Sequence, residues 1–202
     1  MAEGGGRGTV AGIAAQVVTE SCAPAVVVLV LPLAVAWHAT GHRLGPTALW
    51  ALVVAVFSSI LPTVFIVRGA RLGRWDGHHV RNREARMVPL SLAVASTVVG
   101  LLVLVFGGGP RDLVALDLAM LATLFVCTGI THWWKISIHA AVAGGAAATM
   151  VLIYGPWWAF LVPAVALVAW ARVRLTDHTI AQAVAGAVTG PVVGGVVFVL
   201  VR

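Results

Sequence analysis

The chain is predicted to fold as an all-α polytopic membrane bundle of about six or seven transmembrane helices. Of its 202 residues, 60% are hydrophobic and only 10% charged. Its mean hydropathy is +1.01, and apolar runs of roughly 14 to 24 residues alternate with short arginine-bearing connections. A water-soluble core of this composition would aggregate. The formal net charge of +6 does not point to nucleic acid, because the arginines gather between apolar spans, where topology and anionic headgroups explain them.

Residues 1–20 read as a glycine-rich, flexible start, Met1 to Gly8, followed by a short interfacial helix. Val10, Ile13, Ala14, Val17 and Val18 lie on one face at helical spacing. With no basic leader before the first long apolar stretch, that stretch is expected to be a retained span. A single transmembrane domain then occupies 21–202, with spans near 22–38, 47–67, 88–106, 113–130, 137–154, 157–170 and 179–201. Pro24 and Pro32 in the first and Pro163 in the sixth shorten or kink those helices. Gly186, Gly190 and Gly194 put a smooth stripe on the seventh. Ala140, Ala141, Gly144, Gly145 and Ala148 give the fifth the same small-residue character, so these two are expected at the centre of the bundle. Cys22 and Cys127 lie in apolar stretches and read as buried thiols.

Three polar clusters occupy the connections: His79 to Arg86 between spans two and three, Lys135 to His139 between four and five, and Arg172 to His178 between six and seven. Each pair is separated by two crossings, so all three fall on one membrane face. That face carries ten of the thirteen cations, leaving Arg43, Arg111 and Arg202 on the other, and the positive-inside rule makes it cytoplasmic. Asp117, inside the fourth span, is read equally as a functional acid and as one reaching interfacial water. His38 and His42 read as interfacial on the opposite face. Trp133, Trp134, Trp157 and Trp158 read as interface anchors, and Arg68, Arg71 and Arg74 as a topology or headgroup signal.

These clusters resemble the motifs of the integral-membrane type 2 phosphatidic acid phosphatase superfamily, which shares its helical core with vanadium haloperoxidases. The places of the family's third motif, Ser-Arg, five residues, His, three residues, Asp, are occupied by Ala171, Arg172, His178 and Gln182, with the arginine and histidine matching. The second, Pro-Ser-Gly-His, is similar to Ile136, Ser137, Ile138 and His139. The first, Lys, six residues, Arg-Pro, is echoed by His79, Arg86 and Met87. The likeness covers roughly residues 75 to 195.

Hydrolysis of a phosphate ester needs a nucleophile, a proton donor for the leaving oxygen and fixed positive charge around the phosphoryl oxygens. The resemblance assigns His178 the nucleophile's role, through a phosphohistidine and without metal or other cofactor. His139 has the acidity to protonate the departing alkoxide. Arg172 and Arg86 are candidate phosphate clamps, with Ser137 as a hydroxyl donor at the start of the fifth helix. Lys135 replaces the missing first-motif lysine, and His79 makes that contact pH-dependent. Where the family carries an aspartate, Gln182 lies one turn beyond His178, where its amide oxygen is expected to orient the ring without stabilising the imidazolium. Asp177, adjacent to His178, reads as a poor substitute.

The resemblance implies a lipid phosphatase acting on polyprenyl phosphates or diphosphates, prenyl-linked sugar phosphates or phosphatidyl phosphates, and the abundance of Ala, Val, Gly and Arg beside a single lysine points to a bacterial plasma membrane. Two alternatives stand beside it. One is a degenerate relative that binds a lipid phosphate or catalyses another reaction on an isoprenoid diphosphate. The other is a small transporter subunit with a proton path through Asp117 and the histidines.

Overall fold

The computed structural model describes residues 9–74 and 87–202. They form eight helices: α1 (Val10–Ser21), α2 (Pro24–Ala39), α3 (Leu44–Arg71), α4 (Met87–Phe106), α5 (Arg111–Trp133), α6 (Ile138–Tyr154), α7 (Pro156–Arg174) and α8 (Ile180–Val201). The protein is an all-α polytopic membrane bundle. Five of these helices are long and apolar enough to cross a bilayer, and α1 with α2, bent by 48°, makes a sixth when the pair is counted as one span. Leu29, Val30, Val99, Leu102, Val184 and Val196 are all exposed, as expected when lipid replaces water as the solvent of the outer surface.

Two span expectations change places. The proline-bearing sixth span extends to 19 residues, Pro156–Arg174, because a 3-10 turn at Pro156–Leu161 precedes its α-helical part. The fifth, α6, has only 17 residues, about 25 Å of helix against a hydrocarbon core of roughly 30 Å. It is nonetheless the hub, packing against α2, α5, α7 and α8, so protein rather than lipid covers it.

The α6 to α8 contact is as close as backbone permits. A Cβ on Gly186 would meet the Ser137 carbonyl, one on Gly190 the Ala141 carbonyl, and one on Gly144 would come within 2.7 Å of the Ala187 oxygen. Pro191, with no N–H, leaves that Ala187 oxygen without its usual helical donor, and a π turn at Gly190–Gly194 absorbs the register change. A second π turn, Val56–Ile60, interrupts α3 ahead of Pro62. There Ser96 donates to the Phe57 carbonyl and Ser59 to that of Ala25 at 2.8 Å, tying the break to α4 and α2.

The segment expected to form a short interfacial helix is helical as α1, capped by Thr9, whose hydroxyl accepts from the Gly12 N–H at 3.2 Å. Its small face, Gly12, Ala15 and Thr19, is buried, while Val10, Ile13 and Val17 point outward. Ala15 packs on Ala171 and Leu175 and so braces the end of α7. Cys127 is buried as expected, but Cys22, in the bend between α1 and α2, is only partly covered.

Local contacts fix which helix ends lie together. At one end Arg202 pairs with Asp112 at 3.3 Å and Arg111 donates to the Val201 carbonyl at 2.8 Å. The Tyr154 hydroxyl donates to the Ala34 carbonyl at 2.7 Å at the same end, where His38 also meets the Tyr154 ring edge-on. At the other end the Ser137 N–H donates to the Gln182 carbonyl at 3.2 Å. The second and third polar clusters therefore share one end of the bundle, opposite His38 and Arg202.

Candidate active site

The segment from Lys135 to His139 is a helix start. Ser137 has extended backbone (φ −84°, ψ 103°) and caps α6, accepting from the Ala140 N–H at 3.4 Å through Oγ. A hydroxyl that accepts in this way keeps its proton to donate. Ile136 and Ser137 are fully buried, and His139, the second residue of α6, is buried as well. Lys135 is partly covered at the entrance to this turn.

The segment from Arg172 to His178 is a tight reversal between α7 and α8. The Arg172 carbonyl accepts from both the Asp177 and His178 N–H groups, at 3.2 and 3.3 Å. Thr176 makes the turn at φ +60°, a left-handed conformation unusual for a β-branched residue. The reversal brings Asp177 back onto Arg172, with Nη2 to Oδ2 at 3.0 Å and side chains 1% and 5% exposed. Helical spacing sets Asp177 on a different face from His178 and says nothing of this pair. The partner of Asp177 is the arginine five residues earlier.

Gln182 requires a correction. Its Oε1 accepts from the Thr179 N–H at 3.1 Å, while its own N–H donates to Thr179 Oγ1 at 3.3 Å. This is a reciprocal capping box at the start of α8, so the amide oxygen expected to orient His178 serves the helix end instead. The Thr-x-x-Gln spacing was a readable sign of it. His79 and Arg86 lie outside the described residues.

His139 and His178 share the wall of one cavity of about 300 Å³. The rest of that wall is largely apolar, with Val28 and Leu31 of α2, Ile66 of α3, Leu90 of α4, Leu124 of α5 and Val142 of α6. The part of α3 beyond its π turn packs on α4, and its Ile66 and Val67 line the cavity together with Pro24 and Val27 of α2. Two imidazoles at one end of a greasy chamber can hold a charged head while apolar walls hold a tail.

Asp117 does not reach interfacial water. It is fully buried, and its Oδ1 accepts from Ser58 Oγ at 2.8 Å, with Ser58 itself on the cavity wall. Comparison with protein-family models, curated proteins and solved structures gives no match.

Proposed function

We propose that this protein is a lipid phosphatase of a bacterial plasma membrane that works without a metal ion, hydrolysing a polyprenyl or phosphatidyl phosphate or diphosphate. The observation that carries the reading is the shared apolar cavity reached by both His139 and His178, two residues that the chain supplies from different connections. The lipid tail lies among Val28, Leu31 and Ile66, and the phosphoryl group sits by the histidines.

In the first step the neutral His178 ring attacks phosphorus, and the bond to the lipid oxygen breaks as His139, protonated at the outset, delivers its proton to that oxygen. In the second, His139 takes a proton from water, which attacks the phosphohistidine and releases inorganic phosphate and the free His178 ring. The Arg172 guanidinium, the Ser137 hydroxyl and the amides opening α6 oppose the charge that builds on the phosphoryl oxygens. Lys135, His79 and Arg86 complete the proposed phosphate contacts, and the positive-inside rule places the site on the cytoplasmic face.

The decisive experiment measures phosphate release by detergent-purified protein in EDTA, over a panel of polyprenyl and phosphatidyl phosphates. His178→Ala is expected to abolish release and His139→Ala to slow it by roughly 10²- to 10⁴-fold. Turnover that survives His178→Ala in a folded protein removes the mechanism. One observation favours a second reading: Gln182 is committed to a helix cap and Arg172 to Asp177, as in a site that binds a lipid phosphate and does not hydrolyse it. Binding without release across the same panel would select it.

A further inference from the structure

We infer that Asp177 is a specificity-determining residue that selects a phosphoryl group of single negative charge, such as a lipid phosphodiester, over a dianionic phosphomonoester. The inference rests on the proposed phosphate site and moves its preferred substrate from the phosphomonoesters named there to a phosphodiester, from which the same two steps release a phosphomonoester in place of inorganic phosphate. Arg172 is the cation that the reading assigns to the phosphoryl oxygens, yet its guanidinium already carries the Asp177 carboxylate at 3.0 Å. The pairing is built in twice. The Asp177 N–H also holds the Arg172 carbonyl at 3.2 Å, and Thr176 takes a left-handed backbone at φ +60° to deliver the aspartate there, a conformation unfavourable for a β-branched residue.

Because the Arg172 carbonyl also accepts from the His178 N–H at 3.3 Å, one tight turn holds the Arg172 to Asp177 pair next to the backbone of the proposed nucleophile. A phosphoryl group within reach of His178 and Arg172 therefore lies close to a fixed negative charge. Repulsion grows with each charge the phosphoryl group carries, and little water remains around either side chain to screen it. An ester whose phosphorus bears a single charge meets Arg172 with the smallest penalty. Of the lipid classes considered, a prenyl-linked sugar phosphate is of this kind.

The test uses two small probes on the full-length protein in detergent, titrated by phosphorus NMR at mildly alkaline pH. Inorganic phosphate is there mainly a dianion and dimethyl phosphate a monoanion. Wild-type protein is expected to bind dimethyl phosphate at least as tightly as phosphate. Asp177→Asn should tighten phosphate by roughly tenfold or more, the scale of one removed unit charge a few ångströms away, with a much smaller change for dimethyl phosphate. Asp177→Glu should keep the wild-type ranking. Equal phosphate binding by wild type and Asp177→Asn would leave the phosphate site standing and overturn the role of Asp177. Failure of the wild type to bind either anion would remove the phosphate site and this inference together. Loss of a buried partner can prevent Asp177→Asn from folding, and the wild-type ranking then decides alone: phosphate held tenfold more tightly than dimethyl phosphate overturns the inference.

Discussion

At the scale of single residues, two polar pairs in this bundle predict what substitution does. Asp117, fully buried, accepts from Ser58 inside the bundle at 2.8 Å. Ser58→Ala should destabilise the protein by about 1–3 kcal/mol by leaving a buried acceptor unmatched. Adding Asp117→Leu should recover much of that loss, since removing both partners is far cheaper than removing one; thermal unfolding of the two single variants and the double in detergent measures the coupling. At the α8 cap, Thr179→Ala should cost about 0.5–2 kcal/mol, whereas Gln182→Glu keeps the reciprocal cap and should leave the melting temperature unchanged or raised. The cap was legible as Thr179-x-x-Gln182, and the positions of Ser137, His139 and His178 at element boundaries were legible from the apolar runs around them. The Arg172 to Asp177 pair was not, because it exists only through the left-handed turn at Thr176, and a five-residue separation in sequence carries no directional information once a helix has ended.

At the scale of elements, the bundle is organised by backbone contact more than by side-chain bulk. Gly186 and Gly190 set α8 directly on the carbonyls of Ser137 and Ala141, so the stripe that packs the helices also positions the loop before His139. Gly190→Val is expected to push α8 away from α6, cost about 1–3 kcal/mol or more, and disturb anion binding at the histidines more than any substitution of similar size on the outer surface. Gly129→Ala is the matched control: no atom lies within 4 Å of its added Cβ, and it should stabilise α5 by up to ~1 kcal/mol through helix propensity alone. Melting temperatures of the two variants, taken beside phosphate titrations, separate lost packing from a lost site. The glycine periodicity made the central role of α6 and α8 readable from sequence. Both π turns come with prolines, Pro62 just after the first and Pro191 within the second, but a proline announces only that a helical hydrogen bond is missing. Whether the chain kinks, breaks or winds wider depends on neighbours such as Ser96 and Gly144.

At the scale of the whole molecule, the arrangement of charge predicts how the bundle sits in its membrane. The alternation of helices puts the ends of α3 and α7 at the histidine end, and Arg68, Arg71 and Arg74 are exposed there. Arg172 should be set aside, since Asp177 neutralises it. At the opposite end Arg202 is paired with Asp112, and Arg43 and Arg111 are each tied to backbone carbonyls, of Thr40 and Val201. Among the described residues the histidine end still carries more cations, Arg68, Arg71, Arg74, Lys135 and Arg174 against Arg43 and Arg111, after Arg172 is removed from the count. The number of spans does not alter the relation between the two ends, because the Ser137 to Gln182 and Arg202 to Asp112 contacts fix it. In a cysteine-free background, Arg71→Cys in intact cells should resist a membrane-impermeant maleimide until the membrane is permeabilised, while His42→Cys should label from outside. Labelling of Arg71→Cys from outside would invert the bundle and move the histidine cavity to the outer leaflet. The proposed substrate would then be an externally released lipid carrier instead of a cytoplasmic biosynthetic intermediate, with the chemistry at His178 and His139 unchanged.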